Sequence, residues 1–257
     1  MTIFMQTAAR QAREVPMTDA ERSARIELAA AYRIFDMLGW VEMIFNHLTL
    51  RVPGPEKMFL INPFGLHYRE VTASNLVLID LEGNPLRETQ WPINAAGFII
   101  HSAIHEAIAE ARCVMHTHTT TGLAVACLKE GLSPTNFYAA QLHGKVAYHD
   151  FEGITVEPGE KARLVRDIGD QPAVILRNHG LLAWGASVAQ AFMTLWTLQR
   201  ACDVQIASSA AGALHPIQPD VFERTVRESG PGEKRTCEDV FAAMLRLVDA
   251  KDPSFRN

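Results

Sequence analysis

Helical spacing is clearest near the start of the chain. Ile26, Ala30, Ile34 and Leu38 recur every four residues behind Thr18 and Glu21, which form a capping-box pair, and Gly39 supplies a stop. The first helix is therefore predicted between Thr18 and Gly39. The pattern then shortens. "FNHLTLRV" (45–52), "KMFLI" (57–61) and "LVLID" (76–80) alternate or are β-rich, with Pro and Gly signals between them, and each reads as a strand. A helix is expected over about Phe98 to Ala111, followed by "CVMHTH" (113–118) as a strand and "TGLAVACLKEG" (121–131) as a helix closed by Gly131. "AVILRN" (173–178) and "LLAW" (181–184) read as strands, and Ser187 to Ala210 as a long helix. The class is mixed α/β.

Segment 211–235 holds Gly212, Pro216, Pro219, Gly230, Pro231 and Gly232, so an irregular connector is expected there before a last amphipathic helix over Cys237 to Val248. The first 17 residues read as a flexible terminus. No internal repeat or composition break divides the remainder, so 18–257 is read as one domain, with a core of about 21–210 and a C-terminal extension of 211–257.

Composition narrows the function. With 257 residues, 48% of them hydrophobic and 21% charged, the chain can bury a full core. A formal charge of -5 and a pI near 6.1 supply no basic field for nucleic acid or an anionic membrane surface. No apolar run reaches membrane-spanning length, and the start lacks a secretory pattern, so a cytoplasmic protein acting on a small molecule is expected. Cys113, Cys127, Cys202 and Cys237 are scattered without a CxxC pair, which argues against a disulfide framework or a thiolate metal site.

"CVMHTHTTTG" carries the strongest chemistry. Residues i and i+2 of a strand share a face, so His116 and His118 would present two imidazoles side by side with Thr117 turned away. Two ligands make a weak metal site, and a pair of hydrogen-bonded strand histidines is the ordinary alternative. His179 in "ILRNHGLLAWG", followed by a Gly where the chain must turn, is the candidate third ligand, and three histidines with an open position suit a catalytic divalent metal. His101 and His105 share a helix face at i and i+4 but lack the glutamate of an HExxH motif, so packing or support of the site is expected of them. His47, His67, His143, His149 and His215 carry no signal individually.

The segments "FNHLTLRVPG", "FLINPFGL", "INAAGFIIHSAIHEA", "CVMHTHTTTG", "GKVAYHDFEGI" and "ILRNHGLLAWG", in this order over about Glu21 to Ala210, closely resemble the class II aldolase/adducin family. The resemblance implies a three-layer α/β/α sandwich around a mostly antiparallel, mixed sheet. It also implies assembly as a homotetramer and one divalent metal per subunit on His116, His118 and His179, zinc first, with manganese or iron as alternatives. Family aldolases that cleave sugar phosphates carry a serine pair and then a glutamate at the helix start before the HxH strand, the glutamate serving as acid/base. Here Ala95, Ala96 and Gly97 stand at those places. Both the phosphate grip and the base are missing.

A metal with three neutral ligands keeps its charge and can stabilise an enolate, and decarboxylation needs no base to begin. The expected activity is therefore that of a divalent-metal-dependent lyase, a decarboxylase or retro-aldolase, on a non-phosphorylated oxo- or hydroxy-acid. Ile93, Phe98 and Ile99 suggest an apolar pocket wall suited to an aromatic substrate. His143, beside Gly144, and Tyr138 are the candidates for proton delivery; Asn46, Gly65, Ala96 and Gly97 are the candidate substrate-pocket positions. Arg51 and Arg177 could meet a carboxylate, although arginines near strand ends are commonly paired or solvated. Two other classes stay open: a non-catalytic adducin-like scaffold, against which the end of the chain at Asn257 without a long basic tail is taken to count, and a non-haem iron oxygenase on the same three histidines.

Overall fold

The first helix follows its local signals. In the computed structural model, which describes residues 16–54, 57–153, 158–228 and 234–257, α1 spans Asp19–Leu38. The Thr18 hydroxyl accepts from the Glu21 N–H at 3.1 Å, and Gly39 closes the helix in the left-handed region at φ 73°. Most of the terminus read as flexible, residues 1–15, lies outside the described residues.

The remaining elements are β1 (Leu48–Arg51), β2 (Phe59–Ile61), β3 (Val77–Ile79), α2 (Ala95–Ala107), β4 (Cys113–Thr117), α3 (Thr120–Ala126), α4 (Phe137–Gln141), β5 (Val146–His149), α5 (Pro158–Ile168), β6 (Ala173–Leu176), β7 (Gly180–Gly185), α6 (Val188–Ala211), α7 (Pro219–Glu228) and α8 (Lys234–Lys251). The strands form one sheet in the order β3-β2-β1-β4-β7-β6-β5, antiparallel throughout except for the parallel β5/β6 pair.

Strand alternation sorts side chains into the two outer layers. Leu48, Leu50, Cys113, Met115, Ala173, Ile175, Leu181 and Ala183 join one core with α1, α6 and α8. Val114, Val174, Leu176 and Leu182 face the other way, onto Ile100, Ala103 and Ile104 of α2 and Leu164 and Ile168 of α5. The three-layer α/β/α architecture follows. Residue 116 shares the parity of Val114 and residue 49 lies between Leu48 and Leu50, so His116 and Thr49 both face the α2 layer.

Three local expectations are corrected. The helix after the HxH motif ends at Ala126, not Gly131, because the Asn178 N–H takes the Ala126 carbonyl at 3.0 Å. Segment 211–235 is not wholly irregular: α7 begins at Pro219, a residue suited to a first helical turn, and buries Phe222. The last helix is longer than expected and belongs to the main core through Cys237, Phe241 and Val248, with Phe255 beyond it fully buried. All four cysteines are free thiols. Among the described residues, no helix is long and apolar enough to cross a membrane.

Candidate metal centre

Two strand ends and one turn bring three imidazoles together. His116 lies near the end of β4, and His118 follows just past it, where the chain leaves the sheet for α3. His179 ends the β6–β7 turn, after Asn178 in a left-handed conformation (φ 57°) and before Gly180, the first residue of β7. A Cβ at Gly180 would stand 2.3 Å from the Thr117 carbonyl oxygen and 3.0 Å from the His118 ring. Glycine there lets the turn approach β4 closely enough for His179 to join the pair. One ring nitrogen from each of His116, His118 and His179 lies within 4.8 Å of the others.

The hydrogen bonds make these nitrogens ligand-competent. His116 Nδ1 lies 2.8 Å from the Leu181 carbonyl, which can only accept, so the proton of the neutral ring sits on Nδ1 and Nε2 is a lone pair. His118 Nε2 lies 2.7 Å from that lone pair and donates to it. For His118 to join His116 as a neutral ligand through Nε2, its proton would move to Nδ1. Burial holds His116 well below the ordinary imidazole value, reinforced by His118, His179 and His47; burial also lowers His118, and burial with His118 nearby takes His179 to about 4. Neutral, converging imidazoles with a carbonyl fixing one tautomer are a donor set that fits zinc, manganese or iron.

Behind the triad lies a second group of histidines. The His47 ring sits 5.9 Å from that of His116 and 4.1 Å from that of His101, centroid to centroid. Thr49 Oγ1 bonds His101 Nδ1 at 2.7 Å and His105 Nε2 at 2.8 Å, and His105 Nδ1 reaches the Ala111 carbonyl at 2.7 Å. All four residues are at most 4% exposed. Burial pushes His47 and His105 down to about 3 and His101 well below the ordinary value. Gly97 makes room for this arrangement: a Cβ there would lie 1.9 Å from His47 Cε1. Gly97 is thus faced by an imidazole from the residue that precedes β1. Sequence reasoning missed His47. The signal was present as His47 and Thr49 at i, i+2 opposite His101 and His105 at i, i+4.

A cavity of about 340 Å³ opens beside the triad, lined by His118 together with Glu42, Asn46, Thr119, Thr120, Thr121, Gln199 and Asp203 and the backbone turn at Leu38–Val41. Gln199 Nε2 donates to Thr121 Oγ1 at 2.8 Å and Asp203 Oδ1 at 2.7 Å, while Thr119 Oγ1 donates to Gln199 Oε1 at 2.5 Å. Among the described residues, no Lys or Arg lines it. The apolar wall expected from Ile93, Phe98 and Ile99 is not found there: Phe98 packs into a separate core with Phe59, Ile61, Val77 and Ile79, and Ile93 leans on that core. An apolar group beside the triad is Phe151, 52% exposed, with its ring 5.9 Å from His179.

The other expected site residues divide. Asn46 is 4% exposed, holds φ 67°, lines the cavity and leaves Oδ1 unpartnered. Gly97 lies under His47, and Ala96 is in the first turn of α2. Gly65 turns the chain at φ 106° beside Phe64, whose ring meets Phe45. Tyr138 packs edge-on to Trp196 under the Arg200 guanidinium, and Arg200 pairs with Asp203 of the cavity at 3.1 Å. His143 is exposed against Phe222 of α7, and among the described residues no contact joins it to the triad. Arg51 binds the carbonyls of Ala109 and His105, and Arg177 those of Leu128 and Lys129, so both are occupied structurally.

The family model for the class II aldolase and adducin N-terminal domain matches residues 26–206. A Pseudomonas aeruginosa protein, named provisionally as a class 2 aldolase, is 40% identical over 248 residues, 95% of each chain. Rat alpha-adducin is 40% identical over 245 residues, which are 89% of this chain but 33% of the adducin. Among solved structures, an aldolase II superfamily protein from Pseudomonas syringae matches with a TM-score of 0.91 at 40% identity, covering 94% of this chain and 98% of that one. L-fuculose 1-phosphate aldolase from Glaciozyma antarctica PI12 matches at 0.82 and 29% identity, covering 95% and 97%. With its sandwich fold, its histidine triad and these relatives, the chain belongs to the class II aldolase and adducin family.

Proposed function

We propose that the protein is a divalent-metal-dependent carbon–carbon lyase acting on a small, non-phosphorylated hydroxy- or oxo-acid. The carrying observation is the convergence of three neutral imidazole nitrogens, within 4.8 Å of one another, beside a polar cavity with no cationic side chain among the described residues of its lining. When bound, the cation supplies a Lewis acid that draws off the negative charge developing as a carbon–carbon bond breaks. His116, His118 and His179 would hold it. The Leu181 carbonyl would keep His116 in the ligating tautomer, and the threonine, Gln199 and Asn46 groups would orient the substrate's oxygens.

A phosphate dianion is ordinarily gripped by basic side chains, hydroxyls and backbone N–H groups. This cavity offers Glu42 and Asp203 instead, which repel it. That separates the present reading from the reaction named for the Glaciozyma relative. The polar lining also withdraws support from an aromatic substrate. We further propose a homotetramer with the site near a subunit boundary, where Tyr138 and His143 could serve a neighbouring site; a light-scattering mass near 28.5 kDa, that of the single chain, would contradict this.

The likeness to alpha-adducin favours a second reading, a scaffold that retains the histidines without turnover. The two separate in one assay. Metal-loaded protein is incubated with a panel of small hydroxy- and oxo-acids and with L-fuculose 1-phosphate, and carbon dioxide and aldehyde products are followed by NMR. Turnover of a non-phosphorylated acid that disappears in His118→Ala is expected. Cleavage of the sugar phosphate at a comparable rate would contradict the non-phosphorylated substrate, and no turnover of any substrate would contradict the lyase reading.

A further inference from the structure

The hydrogen-bond chain behind the triad has only one polarity for neutral rings. The Ala111 carbonyl accepts, so His105 donates from Nδ1 and keeps a lone pair on Nε2. Thr49 must then donate its hydroxyl proton to His105, which leaves its oxygen to accept from His101 Nδ1. His101 Nε2 is therefore a lone pair. It is fully buried and has no hydrogen-bond partner, and both ring nitrogens of the overlying His47 are likewise buried without a well-formed bond, although the Gly97 backbone lies near enough to favour slightly the protonated ring. Asn46 Oδ1, next in the chain and lining the cavity, is unpartnered as well. Four buried polar atoms beside the triad thus lack partners, and unpaired buried groups cost roughly 1–3 kcal/mol each, so they mark a place where a ligand group belongs.

We propose that His47 and His101 form the hydroxyl-accepting wall of the substrate site, a neutral hydrogen-bond acceptor for the hydroxyl of a hydroxy acid held at the triad. His101 Nε2 offers one lone pair, and a neutral His47, whose ring lies 5.9 Å from that of His116, offers a second. The wall thus presents two acceptors against the single N–H of His47, which favours a hydroxyl over a bare carbonyl. It occupies the space that Gly97 vacates, so a neutral imidazole acceptor replaces a charged carboxylate. Thr49 and His105 are positioning residues that act through His101. This inference rests on the lyase reading for its substrate and selects the hydroxy acid over the oxo acid.

Two measurements test it, and the first needs neither metal nor substrate. In metal-free ¹⁵N-labelled protein, long-range ¹H–¹⁵N spectra should show His101 and His105 as Nδ1–H tautomers, with the Nδ1–H state of His101 lost in Thr49→Val. A His101 protonated at Nε2 in the wild type would overturn the relay. The second uses cobalt-substituted protein, titrated by visible absorbance with lactate and with pyruvate, which both chelate and differ in the hydroxyl. About tenfold preference for lactate is expected, roughly 1.4 kcal/mol, falling to none in His47→Phe and retained in His47→Gln, which keeps an acceptor. Equal affinity in the wild type, or a preference that survives His47→Phe, would overturn the proposal even if lyase turnover is found.

Discussion

Two groups of histidines lie side by side in this molecule and are built for opposite ends. His116, His118 and His179 converge on one point; two of the three are partly exposed, and one of these, His118, lines the cavity. His101 and His105 are sealed, share Thr49 between them and run in a line to the Ala111 carbonyl. In both groups burial keeps the rings neutral; what differs is where the lone pairs point. Convergent lone pairs make a cation site, and aligned ones make a polarised chain. A small residue permits each: Gly180 lets the His179 turn close onto β4, and Gly97 lets His47 lie over α2.

The comparison breaks hardest at Gly180. An alanine Cβ would meet the Thr117 carbonyl oxygen at 2.3 Å, and backbone cannot swing aside. Gly180→Ala should cost about 3 kcal/mol, the upper end for overpacking, and weaken metal binding while His101 and His105 keep their tautomers. Unchanged metal affinity would show that the close approach does not shape the triad.

Thr49→Val strikes the other group. It leaves His105 Nε2 without a donor and His101 Nδ1–H without an acceptor, at about 2 kcal/mol of stability by chemical denaturation, with the metal stoichiometry intact. Gly97→Ala should cost less, about 1–2 kcal/mol, because the obstructing atom belongs to a side chain that can tilt. Its sign is a changed His47 imidazole signal. Gly97→Glu should not confer cleavage of L-fuculose 1-phosphate, since the cavity would still lack a cationic grip.

Much of this was legible because it is local. Thr18, Glu21 and Gly39 mark α1 within one helix, and "CVMHTH" places its two histidines through strand parity alone. The relay was not legible, because Thr49 and His101 are 52 positions apart and meet only when β1 and α2 are packed. Helix α7 was hidden for a different reason: it opens on Pro219, and Pro216 before it and Gly230, Pro231 and Gly232 after it in the sequence are breakers that masked the ten-residue run Pro219–Glu228. The apolar wall failed because apolar character was taken to mean pocket, whereas Phe98 turns into the core with Phe59 and Ile79.

The smallest expected effect is a slope. His105 titrates near 3 in the folded protein against an ordinary 6.5, so below pH 6.5 the unfolded chain takes up a proton that the folded one refuses. Its contribution to stability is complete above pH 6.5 and is lost as the pH falls toward 3, at about 1.4 kcal/mol per pH unit. Denaturant midpoints of metal-free protein at pH 7, 6 and 5 should fall, with the other lowered histidines adding to the slope, and His105→Leu should make the fall shallower by about that amount. A pH-independent midpoint would contradict the buried neutral ring.

The central claim is that the convergent group, and not the aligned one, holds a cation. Metal content by elemental mass spectrometry on protein purified without chelators tests this directly. The account predicts about one divalent ion per chain in the wild type and in Thr49→Val, and none in His118→Ala, by the three-ligand logic of an open metal site. A wild type without metal, or full occupancy in His118→Ala, would contradict it.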